Sequence, residues 1–142
     1  MTVLHIINEK GRDVVTVDPG RALSEVVAVL AARRIGAVVV TEGGALRGIL
    51  SERDVIRVLS THGAEALRKT AGECMTPKVV TCTTSDTIDD VMQKMTAGRF
   101  RHLPVVEDGA LTGIVSIGDV VKRRIQDVER EARQIRDYIA TA

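Results

Sequence analysis

The chain is poor in the residues that several functional classes require. Tryptophan is absent, and Phe100 and Tyr138 are the only aromatic residues. The stacking platforms that bind single-stranded nucleic acids therefore cannot be assembled, and any bound base should lie between aliphatic side chains. Lysine and arginine number 20 against 19 acidic residues, far from the basic balance of a polyanion-binding protein. We expect no nucleic-acid partner.

Cysteine and histidine are also scarce and scattered. Cys74 and Cys82 form no Cys-x-x-Cys pair and have no nearby histidine, and His5, His62 and His102 are far apart. Metal ligands and catalytic triads need such residues in clusters, so we expect reduced thiols and no metal site. Nucleophile-elbow, P-loop and dinucleotide-binding patterns are missing as well. The sequence predicts a protein that is not an enzyme, with no catalytic residues and no catalytic cofactor.

Long apolar runs are missing too. None approaches the roughly 18 residues of a membrane span, and the first residues lack the charged start and apolar core of a signal peptide. The 142 residues are 44% hydrophobic and 27% charged, which is typical of one folded globular unit. We therefore expect a cytoplasmic protein with no membrane partner.

An internal repeat dominates what is present. Residues 14–60 align without a gap on residues 79–125, and sixteen of the 47 aligned positions are identical. Each copy predicts a short strand (14–17 and 79–82), an amphipathic helix, a hairpin and a second helix. Two such halves should pack face to face in a mixed α/β fold. Around them lie an N-terminal segment (1–13), a connector (61–78) with a short helix over 64–69, and a C-terminal helix (126–142).

Ser51 and Asp54 reappear as Ser116 and Asp119, although the residues between them change. Ser-x-x-Asp is a helix capping box, which is the more frequent explanation of such a pair. A helix N-terminus also attracts phosphates and hydroxyls, and a carboxylate there can accept two vicinal ribose hydroxyls. Capping and ligand binding both stay open.

Two further comparisons between the copies are less specific. Threonine occupies the equivalent positions of the two copies, Thr16 and Thr81, but threonine is common in β-strands. Gly36-Ala37 in the first copy corresponds to Arg101-His102 in the second, so two clefts between the halves would differ in charge. A solvated basic loop and a phosphate contact explain Arg101 and His102 equally well.

These motifs carry a family resemblance. Thr16-Val17-Asp18-Pro19, the paired segments 35–40 and 100–106, the Met75-Thr76-Pro77 turn and the two Gly-x-x-Ser-x-x-Asp segments together resemble a tandem pair of CBS domains over about residues 8–126. The resemblance implies a Bateman module: two motifs packed sheet to sheet about a pseudo-twofold axis. Such modules bind adenosine derivatives, here AMP, ADP, ATP, NAD or S-adenosylmethionine.

The resemblance also implies roles for particular residues. Asp54 and Asp119 would accept ribose hydroxyls, and Ser51 and Ser116 would contact ribose or phosphate, with Arg53 beside them. Backbone near Thr16 and Thr81 would meet the adenine edge, and Arg101 and His102 would reach the phosphate of a nucleotide held at Asp54. Because no basic residue faces Asp119, that cleft is expected to bind weakly, to bind uncharged adenosine, or to stay empty.

The C-terminal segment predicts a long helix with a heptad-like apolar seam and charged remaining faces. The seam comprises Val121, Ile125, Val128, Ala132, Ile135 and Ile139. It could pack on its own domain or across a homodimer. We expect a ligand-sensing regulatory module that acts as a homodimer on another protein, with a structural or protein-interaction module as the alternative.

Overall fold

The computed structural model describes residues 1–141. The chain folds into two similar α+β halves joined by a short connector and followed by a long helix. In order, the elements are α1 (Val3–Lys10), β1 (Thr16–Val17), α2 (Leu23–Arg33), β2 (Ala37–Glu42), β3 (Ala45–Ser51), α3 (Glu52–His62), a 3₁₀ helix (Gly63–Arg68), α4 (Ala71–Cys74), α5 (Ile88–Gly98), β4 (His102–Glu107), β5 (Ala110–Ser116) and α6 (Ile117–Thr141).

Each half is built on one hairpin. In the first, β2 and β3 are antiparallel from Ala37 opposite Ser51, and in the second β4 and β5 match them from His102 opposite Ser116. Strand β3 contacts β5, so the two sheets meet. The predicted fold class and duplicated architecture are confirmed.

The first strand of the second copy is shorter than predicted. β1 pairs in parallel with β2, whereas the predicted strand over 79–82 is reduced to a single bridge between Cys82 and Val105. In the first half the N–H of Val39 donates to the carbonyl of Val15 at 3.1 Å. The corresponding residue of the second half is Pro104, which has no N–H to donate. The expectation of equal strands was wrong for this reason.

Each half includes in its core one helix from outside the repeat. Val3, Ile6 and Ile7 of α1 lie in the core of the second half, and Ala71 and Cys74 of α4 lie in the core of the first. The N-terminal segment is therefore a packed helix, and the connector holds α4 as well as a 3₁₀ helix where we expected a single short helix.

The two glycines of the Gly-x-x-Ser motifs are required by this packing. A Cβ on Gly48 would lie 2.5 Å from the sulfur of Met75 and 2.8 Å from the carbonyl oxygen of Thr76. A Cβ on Gly113 would lie 2.7 Å from Cδ1 of Ile7. The chain that follows α4 and the end of α1 thus press directly on β3 and β5, beside the start of α3 and α6.

Candidate functional site

A cavity of about 480 Å³ lies between the two halves, within the size range of small-molecule sites. The first half contributes the start of α3 with Gly36 and Ile49, and the second contributes the end of α5 and the start of β4. The turn after α4 closes one side. Its polar and charged lining residues are Ser51, Glu52, Arg53, Asp54, Thr76, Lys78, Arg99, Arg101 and His102.

Asp54 lines the cavity from the first turn of α3 and is only 8% exposed. Its Oδ2 accepts the backbone N–H of Ser51 at 2.9 Å and its hydroxyl at 3.2 Å. Its Oδ1 accepts the hydroxyl of Thr76 at 3.0 Å and Arg57 at 3.3 Å. The predicted capping box is present. A carboxylate offers about four acceptor positions, so a ligand hydroxyl must replace one of these donors, of which the freely rotating hydroxyls of Ser51 and Thr76 are the easiest to turn away.

Basic side chains of both halves line the cavity. Arg53 of α3 donates to the carbonyl oxygen of Arg99, the C-cap of α5, and so ties the halves together. Arg101 and Lys78 also line the cavity. These four cations exceed the two carboxylates of Glu52 and Asp54, so the site as a whole favours an anion.

His102 is enclosed between the halves. A Cβ on Gly36 would lie 3.0 Å from the imidazole Cε1 and 2.8 Å from Oε1 of Glu52, so the ring occupies space that the absent side chain leaves free. Burial lowers the pKa of His102, with the charge of Glu52 acting in the opposite direction. The imidazole is therefore neutral at pH 7 and can both donate and accept a hydrogen bond.

The remaining wall is apolar. It consists of Ile49, Ile56, Val79, Val80 and Phe100. Val79 and Val80 immediately precede Thr81, which does not itself line the cavity. Phe100 is half-buried against the core of the second half, and it adds an aromatic ring to a surface where we expected aliphatic side chains alone.

Five of the nine sequence-predicted residues line this cavity, namely Ser51, Arg53, Asp54, Arg101 and His102, and the other four lie outside it. Thr16 is exposed in β1. Thr81 is half-buried and its carbonyl oxygen accepts Nζ of Lys94 at 3.0 Å. Ser116 and Asp119 form the second predicted capping box, in which Oδ2 of Asp119 accepts the N–H of Ser116 at 2.9 Å.

Asp119 differs from Asp54 in its partner. Nζ of Lys10, at the end of α1, donates to Oδ2 of Asp119 at 2.7 Å and to the carbonyl oxygen of Ile114 at 2.9 Å. Burial acts to raise the pKa of Asp119, but the hydrogen bonds from Lys10 and Ser116 outweigh it and the pKa is lowered. An ammonium of the chain itself therefore occupies the position opposite this carboxylate, where no basic residue was expected.

Five lining residues with polar or charged side chains or a ring were not predicted from the sequence: Glu52, Thr76, Lys78, Arg99 and Phe100. Thr76 lies in the Met75-Thr76-Pro77 turn, whose resemblance was the one available signal. Nothing local distinguishes Lys78 or Glu52, because their position depends on how the halves pack. Within residues 1–141 no group of three or more His, Cys, Asp or Glu could hold a metal ion. No helix in that range is both long and apolar enough to cross a membrane.

Comparison with known proteins gives consistent results. The CBS domain family matches residues 7–61 and 71–125. The CBS domain-containing protein CBSX3 of Arabidopsis thaliana, named as mitochondrial, is 37% identical over 110 residues, which cover 74% of this chain and 53% of that protein. YhcV of Bacillus subtilis is 28% identical over 114 residues, which cover 80% of this chain and 81% of that protein. The chain thus spans about half of the first relative.

Solved structures agree over most of the chain. The CBS-domain protein ATU1752 of Agrobacterium tumefaciens has a TM-score of 0.86 at 47% identity and covers 87% of this chain and 99% of its own. The CBS domain pair of protein MJ0100, crystallised with 5′-methylthioadenosine and S-adenosyl-L-methionine, has a TM-score of 0.76 at 25% identity, with 86% and 98% covered.

Proposed function

The chain belongs to the CBS-domain family, and on that premise we propose that it is a non-catalytic regulatory protein whose central cavity binds an adenosine ligand carrying phosphate. The observation that carries this proposal is the set of charged groups that line one cavity: the carboxylate of Asp54 from the first half and cations from both halves. Ribose hydroxyls are donors to carboxylates, and phosphates accept from arginine and lysine.

Charge decides among the adenosine ligands. Lys78, Arg53, Arg99 and Arg101 favour AMP, ADP, ATP or NAD over S-adenosylmethionine, which carries a sulfonium cation in place of phosphate. The apolar wall with Phe100 accepts the base. Arg101 and His102 bind the phosphate, with His102 acting as a neutral donor. Support for an adenosine ligand comes from the MJ0100 pair, which was crystallised with 5′-methylthioadenosine and S-adenosyl-L-methionine, whereas the preference for phosphate rests on the cations of this cavity.

Binding at this position would act on the contact between the halves. Arg53 joins them through the carbonyl of Arg99, and a phosphate would compete with that carbonyl for the guanidinium of Arg53. The ligand would therefore change how tightly the halves are held together, which is the property that a homodimer partner or a regulated protein can detect. We therefore include both a second copy of the chain and a regulated protein as partners.

We also propose a cytoplasmic location. The two thiols are buried in separate cores, and burial raises the pKa of Cys82 to about 12, so both are suited to remain unreactive.

One observation favours the alternative of a structural or interaction module. All the acceptor positions of Asp54 have donors within the chain, so the residue already serves as a helix cap. In that case no nucleotide is needed to explain why Ser51 and Asp54 are repeated as Ser116 and Asp119.

A ligand panel separates the two functions. Thermal unfolding is measured with AMP, ADP, ATP, NAD, adenosine, S-adenosylmethionine and GTP. Under the proposal, phosphate-bearing adenosine compounds at a hundred times Kd add about 2.7 kcal/mol, which raises Tm by several degrees. Arg101→Ala should remove the preference for AMP over adenosine. If none of the adenosine compounds moves Tm, the regulatory proposal is wrong and the structural module is favoured.

A further inference from the structure

Helix α6 leaves the body of the protein halfway along its length. Near its start Val120 is fully buried, and the side chains of Arg123 and Asp127 are only 12% and 13% exposed. Lys122 and Arg123 lie within 4 Å of Glu9 on α1. From residue 128 to residue 141, every residue is exposed. A helical stretch of about 14 residues is marginal in water without a packing partner.

Helix α6 carries an apolar seam on the side turned away from the body. At about 100° per residue, the direction of the seam differs by roughly 130° from that of Val120, Arg123 and Asp127. Its large side chains are strongly exposed: Val121 47%, Ile125 54%, Val128 53%, Ile135 60% and Ile139 68%. Ala132 completes the heptad spacing. The seam is thus unused by its own chain and accessible along about 27 Å of helix.

The charged residues beside the seam favour a second copy of the same helix as its binding partner. With Ile125, Ala132 and Ile139 at position a and Val121, Val128 and Ile135 at position d, the flanking g positions hold Arg124, Glu131 and Tyr138 and the e positions hold Lys122, Glu129 and Arg136. In a parallel in-register pair each g residue faces the e residue five positions on in the other helix. Arg124 then faces Glu129, and Glu131 faces Arg136, so both flanking pairs of charged residues have opposite charges, while Lys122 faces the uncharged Ile117.

Antiparallel pairing is disfavoured by the same residues. The alignment that covers all six seam positions brings Glu129 against its own copy, Glu131 against its own copy, and Lys122 against Arg136. Each is a pair of like charges. Sliding the helices by one heptad restores opposite charges but uncovers two of the six apolar positions at an end.

We infer that the seam of α6 binds a second copy of this chain, helix to helix, parallel and in register. This inference rests on the homodimer included in the proposed function but is independent of the ligand. The parallel arrangement places the two bodies at the same end, since both are attached at the N-terminal end of α6. It also excludes water from the six apolar positions that the single chain leaves exposed.

Measuring the oligomeric state of the full chain and its variants tests whether the seam forms the dimer interface. The full chain should have the mass of two 15.3 kDa chains by light scattering, and Val128→Asp/Ile135→Asp should weaken the dimer at least a hundredfold because two apolar layers are lost in each copy. Arg130→Asp/Gln134→Asp adds the same groups on the opposite face and should leave the mass unchanged. A mass other than that of two chains, or a dimer that survives the seam substitutions, overturns the inference; in the latter case the homodimer proposal itself stands.

Two further variants test the orientation. Ile135→Cys should form an intermolecular disulfide on mild oxidation, and the outward Asp137→Cys should not. In the full-overlap antiparallel pair the two copies of residue 135 would be about 15 Å apart, too far to bridge. Glu131→Arg should weaken the dimer about tenfold and Glu131→Arg/Arg136→Glu should restore it. No disulfide from Ile135→Cys, or no recovery in the double variant, overturns the parallel arrangement.

Discussion

Replacing Asp54 by alanine separates ligand binding from helix capping, because the chain contains its own control. Asp54 and Asp119 hold the same place in the two repeats, and each accepts the N–H of the serine that begins the following helix at 2.9 Å. They differ in surroundings: Asp54 lines the central cavity, whereas Asp119 binds Lys10. The same substitution should therefore have different effects on affinity.

The cost to stability can be worked from the contacts. Loss of either cap costs about 1 kcal/mol. Asp54 is only 8% exposed and also accepts from Thr76, so Asp54→Ala should cost about 2–3 kcal/mol in all. At roughly 4 °C per kcal/mol for a chain of this size, Tm should fall by about 8–12 °C. Asp119→Ala removes a cap and a partly exposed ion pair, so about 1–2 kcal/mol is expected.

The effect on affinity should be larger and confined to one variant. Two ribose hydroxyls bound to a carboxylate are worth about 1.5 kcal/mol each, so Asp54→Ala should raise Kd roughly a hundredfold. Asp119→Ala should leave Kd within about twofold. Titration calorimetry with AMP or ATP, at a temperature where both variants are folded by circular dichroism, measures the difference.

Two results would refute this reasoning. If Asp54→Ala binds the ligand as tightly as the unaltered protein, the carboxylate does not hold the ribose and acts as a helix cap only. If Asp119→Ala loses affinity to the same extent, binding depends on general stability or on the other cleft. Asp54→Asn provides a further check, because it keeps the size of the side chain and removes its charge.

Three other outcomes follow from the structure. Calorimetry should give one ligand per chain, because Lys10 occupies Asp119, and Lys10→Met should admit a second, weaker equivalent of adenosine; two equivalents in the unaltered protein would contradict this. Gly48→Ala should lower the free energy of unfolding by about 2–3 kcal/mol, because its methyl group would lie 2.8 Å from a backbone oxygen, while Gly20→Ala, with no atom within 4 Å, should cost nothing in chemical denaturation. Burial lowers the pKa of His102 below its ordinary value of 6.5, so its neutral form stabilises the fold: this stability is complete above pH 6.5 and is lost as the pH falls through the folded pKa. His102→Gln should reduce the fall in Tm that the unaltered protein shows as the pH is lowered from 7.5 to 5. An unchanged fall in Tm would show that other titratable groups cause it.

The duplicated halves were predictable because their evidence is local. Periodicity of apolar residues is set by the geometry of a helix or strand, and it located α2, α5 and both hairpins. Pro104 was also visible in the sequence, and its missing N–H explains why the strand predicted over 79–82 is a single bridge. That error arose from treating the repeats as equal where one residue type differs.

The candidate site was predictable only in part. Asp54, Arg101 and His102 belong to motifs that a resemblance can transfer residue by residue. Lys78 and Phe100 lie in the cavity because of the way two distant segments pack, and no spacing in the chain records that. Lys10 is 109 residues from Asp119, and nothing along the sequence indicates that the end of α1 fills the second cleft.

The sequence by itself determined the repeat, the type of each main element, the capping residues and the seam of α6, since each depends on residues within a few turns or strands of one another. Only the tertiary structure decided which helix completes which core, and that Lys10 binds Asp119 whereas Lys78 and Phe100 line the cavity beside Asp54. The physical reason is that both outcomes depend on contacts between segments far apart in the chain. The two repeats are locally alike, and they become different sites only when Lys10 is placed against one and Arg101 and His102 beside the other.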